Sequence, residues 1–237
     1  MGHETVLVTG VSRGIGAAIA TALTAAGHDV VGLSRTKPDG FQGTHYAIDL
    51  GEVSAKEQLH EIADRHAPGR LVANAGIASS ADLMTTTDDD FERVQRVNVQ
   101  SIIWAMQSCA PHMTKDRFGR IVVIGSRAAL GKKERIAYAT SKAALLGLVR
   151  TAALELGADG ITVNLVAPGP IETEMFAKLQ PEGSPARKRI TDATALDRVG
   201  KPEEIAAAVQ YFLSDAAGFT TGQSLYVCGG MSVGAAR

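Results

Sequence analysis

Apolar residues in this chain gather into short unbroken runs, and between those runs they recur at helical spacing. The runs fall near 5–9, 29–34, 44–48, 70–74, 120–125, 161–167 and 223–227, each of strand length. Thr5-Val6-Leu7-Val8-Thr9 is largely β-branched. Ile121-Val122-Val123-Ile124 shows no polar alternation, as expected of a strand covered on both faces. The intervening stretches are richer in Ala and Leu. Ala17 to Ala26 reads as a helix closed by Gly27, and a longer helix follows Ala137 as far as Leu156. Strand and helix alternate along the whole chain, which predicts an α/β fold with a doubly wound, seven-stranded parallel sheet in one domain, 1–237. The stretch from Glu172 to Val199 breaks the rhythm. It is long and polar and carries Pro181, Gly183 and Pro185, so it reads as a mobile lid over a substrate site or as an ordinary surface loop.

In such a sheet, ligands bind at the carboxyl ends of the strands. Three segments place chemistry there. The first is the turn Gly10-Val11-Ser12-Arg13-Gly14-Ile15-Gly16, between the first strand and its helix. Glycines without Cβ atoms let the backbone approach a pyrophosphate and present N–H groups at a helix N-terminus. This strand–turn–helix context points to a Rossmann-type dinucleotide site, although the spacing is Gly-x-x-x-Gly-x-Gly. The second is Ser126, which closes the fifth run and could hydrogen-bond a substrate oxygen or simply begin a loop. The third is Tyr138 with Lys142, four residues apart on one helix face. A fixed ammonium beside a phenol favours phenolate and would draw the tyrosine down toward working pH. Alone, the same spacing suits a solvated helix face.

Together these segments resemble the short-chain dehydrogenase/reductase family, over nearly the whole chain from Thr5 to Met231. Thr9 to Gly16 matches the family's cofactor turn, and Ala73-Asn74-Ala75-Gly76 its Asn-Ala-Gly motif. Asn98, Ser126, Tyr138 and Lys142 match the catalytic set. Pro168-Gly169-Pro170-Ile171-Glu172-Thr173 resembles the segment that contacts the nicotinamide, and Gly222 to Val227 the last strand. Cys228 departs from the aspartate common in relatives, which bears on packing or assembly contacts.

The resemblance implies hydride transfer between a nicotinamide and a carbonyl or secondary alcohol. Tyr138 would exchange the proton, Lys142 would lower its pKa and hold the ribose hydroxyls, Ser126 would orient the substrate oxygen, and Asn98 would hold a water. Cofactor contacts are expected from Gly10, Ser12, Arg13, Gly14, Ile15, Gly16, Ser34, Arg35, Asp49, Leu50, Asn74, Ala75, Gly76, Tyr138, Lys142, Pro168, Gly169, Ile171 and Thr173. At the end of the second strand an acid would select NAD by accepting from the ribose 2′-hydroxyl. Arg35 stands there instead, with Ser34 before it and Arg13 in the turn, so a 2′-phosphate and hence NADP(H) is expected.

The substrate suggested by the resemblance is a 3-oxoacyl thioester, as in 3-oxoacyl-(acyl-carrier-protein) reductases. Arg117 matches one of the arginines that flank the active-site mouth of carrier-protein reductases, but Asp159 falls where another is common. Arg127, Lys132, Lys133 and Arg135 lie between Ser126 and Tyr138, opposed only by Glu134. They are either a solvated basic loop or a border that attracts an anionic substrate. The alternatives are therefore a dehydrogenase of cyclic alcohols or of dihydrodiols, including carboxylated ones, and, more remotely, an NADP-binding sensor without catalysis. Relatives commonly assemble as homotetramers, or as dimers, through segments corresponding to about 89–113, 138–157 and 223–227.

Composition narrows the field further. At 237 residues and 45% hydrophobic content the chain has one good core and little left for a second. A net charge of -1 gives no footprint for nucleic acid. No apolar run reaches membrane-spanning length and no signal peptide is visible, while Val6 stands where a myristoylation signal needs Ser or Thr. Cys109 and Cys228 make no disulfide framework and suit a reducing cytoplasm. The six histidines are scattered without metal-site spacing, so no metal is expected.

Overall fold

The strands form as their apolar runs predict, within a residue or two. In the computed structural model, which describes residues 4–233, they are β1 (Thr5–Thr9), β2 (Asp29–Ser34), β3 (Thr44–Ala47), β4 (Arg70–Ala73), β5 (Gly119–Ile124), β6 (Ile161–Pro168) and β7 (Ser224–Val227). Met1 and Gly2, with any amino-terminal modification, lie outside the described residues. All pairings are parallel, in the order β3-β2-β1-β4-β5-β6-β7.

Because successive side chains on a strand point to opposite faces, one apolar run supplies two cores. Leu7, Leu71, Val123 and Leu165 face the layer formed by α2 (Ala55–His66), α4 (Ser101–Asp116) and α5 (Ile136–Leu156). Val6, Val72, Val122 and Val166 face α1 (Gly14–Ala25) and α8 (Pro202–Leu213). The chain winds outward from β1 to β3, then crosses back to β4 beside β1. The connections that leave β1 and β4 therefore run to opposite faces of the sheet, which opens a crevice at the switch point.

Two expectations need correction. The single long helix near 89–113 is α3 (Asp88–Gln95), a π-helical turn at Arg96–Gln100, and then α4. The stretch 172–199 is not a bare loop: it folds into α6 (Glu174–Leu179) and α7 (Pro185–Asp192), capped by Thr173 and Ser184. Arg187 on α7 pairs with Glu172 and stacks over Phe176 of α6 at 5.4 Å. At the far end Arg198 pairs with Glu204 of α8, whose carboxyl that arginine holds down at about 2.

Candidate active site

The glycine turn works by close approach. A Cβ on Gly16 would lie 2.0 Å from the Gly10 carbonyl oxygen, so any side chain there would push α1 off the turn. Gly10 has φ +76° and sits against Asn74 and Ala75. The Asn74 side chain donates to the carbonyls of Thr9 (3.0 Å) and Gly10 (3.1 Å). In return the Thr9 hydroxyl accepts from the N–H groups of Asn74 and Ala75, each at 3.0 Å. The Asn-Ala-Gly motif thus laces β1 to β4, and Asn74 spends both amide protons on that task. Above this lattice α1 begins at Gly14 with no side-chain cap and no acid in its first turn. Its free N–H groups and the positive end of its dipole face the crevice, a cradle for a diphosphate.

The crevice measures about 580 Å³. It is lined by Gly10, Ser12, Arg13, Gly14, Ile15, Gly16, Ser34, Arg35, Asp49, Leu50, Asn74, Ala75, Gly76 and Thr173, all expected from the sequence. Pro168, Gly169, Ile171, Tyr138 and Lys142, also expected, are not among its walls. Pro168 is the last residue of β6, a Cβ on Gly169 would meet Cys228 at 2.7 Å, and Ile171 is buried in the α1/α8 core. Sequence reasoning missed Arg93, Arg96 and Val97, which also line the crevice. The signal was their position just before Asn98, with the two arginines three apart on one helix face.

At the end of β2, Arg35 is exposed, with Nη1 4.0 Å from an Asp49 oxygen. Ser34 differs from expectation. Its hydroxyl donates to the Thr36 carbonyl (2.8 Å) and lies 2.9 Å from His45 Nε2 on neighbouring β3, so no proton is left for a phosphate. Burial and nearby Lys37 hold His45 below its ordinary value, which favours the neutral ring.

Beyond Gly76 the crevice leads to the catalytic candidates. A Cβ there would lie 3.2 Å from Asn98 Oδ1 and 3.5 Å from Lys142 Nζ. Asn98 is fully buried in the π turn. It accepts from the Ile77 N–H (2.8 Å) and donates to the Ile77 carbonyl (2.9 Å) and the Ser141 hydroxyl (3.0 Å). Both amide protons are committed, so its side chain pins the β4 loop to α5 instead of donating to a water.

Lys142 is buried, and its ammonium donates to the Ile124 carbonyl at 2.8 Å. Burial pushes it down to about 8. It stands 5.9 Å from the centroid of the Tyr138 ring. Tyr138 itself is held above the ordinary tyrosine value by burial, and the opposing influences are a hydrogen bond with Ser126 and the charge of Arg135. The expectation that Lys142 draws the phenol down is thus corrected: the ammonium is already bonded to a carbonyl, and removal from water outweighs the nearby charges. Ser126 accepts from the Ala128 N–H (3.1 Å) and turns its own proton toward the Tyr138 oxygen, where a substrate oxygen can take it over. A phenol that keeps its proton at neutral pH, beside a hydroxyl donor, can protonate a developing alkoxide.

Arg117 does not reach this mouth. It precedes β5 and donates to the Ala158 carbonyl (2.9 Å), while Asp159 accepts from Thr114 (3.1 Å). Both lie at the amino ends of β5 and β6, roughly 20 Å down the strand from Ser126. Among the described residues no cluster of His, Cys, Asp or Glu is placed to hold a metal, and no helix is long and apolar enough to cross a membrane.

A family model described as enoyl-(acyl carrier protein) reductase matches residues 10–232. The 3-oxoacyl-(acyl-carrier-protein) reductase of Buchnera aphidicola is 36% identical over 240 residues, covering 96% of this chain and 97% of that protein. Among solved structures, ligand-free aldohexose dehydrogenase of Thermoplasma acidophilum superposes with a TM-score of 0.90 at 32% identity, covering 98% of this chain and 95% of that one. A 3-oxoacyl (acyl-carrier-protein) reductase of Agrobacterium tumefaciens with NADP bound gives 0.88 at 31% identity, covering 95% and 93%.

Proposed function

The chain belongs to the short-chain dehydrogenase/reductase family of oxidoreductases, and from that premise we propose that it is an NADP(H)-dependent reductase of ketones, with 3-oxoacyl thioesters as the first substrate class. The observation that carries the reading is the convergence of Ser126, Tyr138 and Lys142 beyond an uncapped glycine-turn helix. The nicotinamide, when bound, supplies the hydride. Ser126 Oγ orients the carbonyl oxygen, and Tyr138 Oη delivers the proton as charge develops on it. Lys142, fixed by the Ile124 carbonyl, keeps a cation beneath the ring. Arg13 and exposed Arg35 suit a 2′-phosphate, in keeping with the NADP of the Agrobacterium relative.

The fold alone does not select a substrate, since neighbours this similar are named for aldohexoses and for 3-oxoacyl groups. A second reading, oxidation of cyclic alcohols or of carboxylated dihydrodiols, is favoured by the basic turn beside Tyr138 and by the remoteness of Arg117 and Asp159 from the mouth. The test is oxidation of NADPH, with NADH in parallel, against acetoacetyl-coenzyme A, a short 3-ketoester and cyclic ketones, with dihydrodiols run against NADP+. Thioester turnover that drops by orders of magnitude in Tyr138→Phe, with NADPH still bound, supports the first reading. Selective turnover of cyclic substrates moves the second to first. NADPH binding without turnover on any member would leave a sensor.

A further inference from the structure

β3 is the outer strand of the described sheet, and its alternation sorts its side chains between two environments. Tyr46 turns to the α2 side, where its hydroxyl lies 2.8 Å from His66 Nε2. His45 turns to the other side and pairs in register with Gly32 of β2. Phe41 fills the space that a Cβ on Gly32 would need, with ring carbon Cζ 2.6 Å from that position. It stands edge-on to His45, ring centroids 6.2 Å apart. On the same face the next residue of β2 is Ser34, and His45 Nε2 lies 2.9 Å from its hydroxyl. Ser34 is buried and gives its one proton to the Thr36 carbonyl at 2.8 Å, so the hydrogen of the second bond comes from the ring. His45 is therefore the Nε2–H tautomer, with Ser34 Oγ as its acceptor.

Ser34 also lines the nucleotide crevice beside Arg35, at the strand end where such sheets read the adenosine ribose. Turning its proton from the Thr36 carbonyl to a phosphate oxygen exchanges a neutral acceptor for an ionised one, a bond about twice as strong. The imidazole bond survives that exchange, because Ser34 Oγ still accepts from Nε2. The ring then faces a phosphate across one oxygen, which favours its charged form. The charged residues on the segments around it are Arg35, Lys37 and Asp39 between β2 and β3, and Asp49 after β3, while α1 on that face carries none. Among these described residues only Lys37 bears on the ring, adding to burial, the larger influence, in disfavouring a second proton. We propose that His45 is a positioning residue for the cofactor's 2′-phosphate: it holds Ser34 Oγ so that the hydroxyl proton can turn to the phosphate, and it takes up a proton as NADPH binds. The inference rests on the end of β2 being the phosphate site. NADPH affinity, unlike NADH affinity, should gain from His45 as pH falls through the ring's range.

Two substitutions divide the role. His45→Gln keeps an N–H donor near the place of Nε2 but cannot titrate, whereas His45→Leu removes donor and charge together. Binding of NADPH, with NADH in parallel, is measured by calorimetry from about pH 6 to about pH 8. At about pH 8 His45→Gln should match wild type on NADPH, and at about pH 6 it should bind NADPH about fivefold more weakly. At about pH 6.5 wild type should take up about half a proton more than His45→Gln on binding NADPH, as read in buffers of different ionisation enthalpy. The phosphate's own proton titrates near the same pH, but it is common to both proteins and cancels. His45→Leu should weaken NADPH by about tenfold or more and leave NADH unchanged, so NADH binding reports that the variant has folded. Equal NADPH affinity and equal proton uptake in wild type and His45→Gln across the range overturn the inference alone, as does a loss in His45→Leu that NADH shares. A wild type that binds NADPH no better than NADH overturns the phosphate site, and this inference with it.

Discussion

A buried ammonium is costly, and Lys142 carries that cost. Its proton is removed at about 8 in the folded chain against about 10.5 when free. Below pH 8 both folded and unfolded chains hold the proton, and the full burial cost stands against folding. Between about 8 and 10.5 only the unfolded chain holds it, so stability rises with pH through that window. Lys142→Met should therefore abolish turnover yet stabilise the protein at neutral pH. Burying the ammonium costs about 3 kcal/mol, and roughly 1 kcal/mol is lost by orphaning the Ile124 carbonyl. The net, about 2 kcal/mol, corresponds to a Tm higher by about 4–8 °C for a chain this size. Calorimetry at pH 7 checks it, and a Tm at or below wild type would contradict it. The same residues mark what the sequence could and could not tell. The four-residue spacing disclosed the Tyr138–Lys142 pair, because spacing on a helix is geometry. It misjudged the electrostatics, because the dielectric around Tyr138 is set by what packs over it, and the partner of Lys142 comes from β5.

At the scale of elements, the same limit recurs wherever a neighbouring strand or helix completes a site. The position of Arg35 at the β2 terminus was legible, and Arg35 does line the crevice. The fate of Ser34 was not, because His45 belongs to β3 and the parallel register that sets them side by side is a pairing, not a sequence pattern. The π turn that seats Asn98 was hidden too. One extra residue in a helical turn barely disturbs the apolar period that predicts a helix over 89–113. What β2 does predict is cofactor choice. Arg35→Asp places a carboxylate beside Asp49, repels a 2′-phosphate and offers an acceptor to a ribose hydroxyl. NADPH affinity should fall by about tenfold or more and NADH affinity should improve, as read by fluorescence titration of both nucleotides. An unchanged preference would remove Arg35 from the selector.

For the molecule as a whole, alternating strands and helices made the doubly wound sheet legible, but not which surfaces the finished layers leave bare. The apolar stripes of the two long helices could have been core or interface. Ile102, Met106, Leu145 and Val149 are buried within the chain's own core, while Ile103 and Leu148 on the same stripes stay partly exposed. The bare apolar surface lies elsewhere. Among the described residues β7 ends the sheet, with one side of its backbone unpaired, a feature that proteins cover or blunt. Leu225 on that strand is exposed, Phe219 just before it is fully exposed, and so is most of Leu154 at the end of α5. A Cβ on Gly222 would lie 3.6 Å from the Ala153 Cβ, which places the segment before β7 against the end of α5. An apolar patch beside a free strand edge is the kind of surface that oligomers bury. The chain should therefore sediment as a homotetramer or dimer at micromolar concentration. Phe219→Asp combined with Leu225→Asp would put charge into a desolvated contact and should shift the protein toward monomer. Both positions lie outside the NADP crevice, so nucleotide binding reports whether the variant has folded. A wild-type monomer, or an assembly indifferent to both substitutions, would mean that the β7 edge is not the interface.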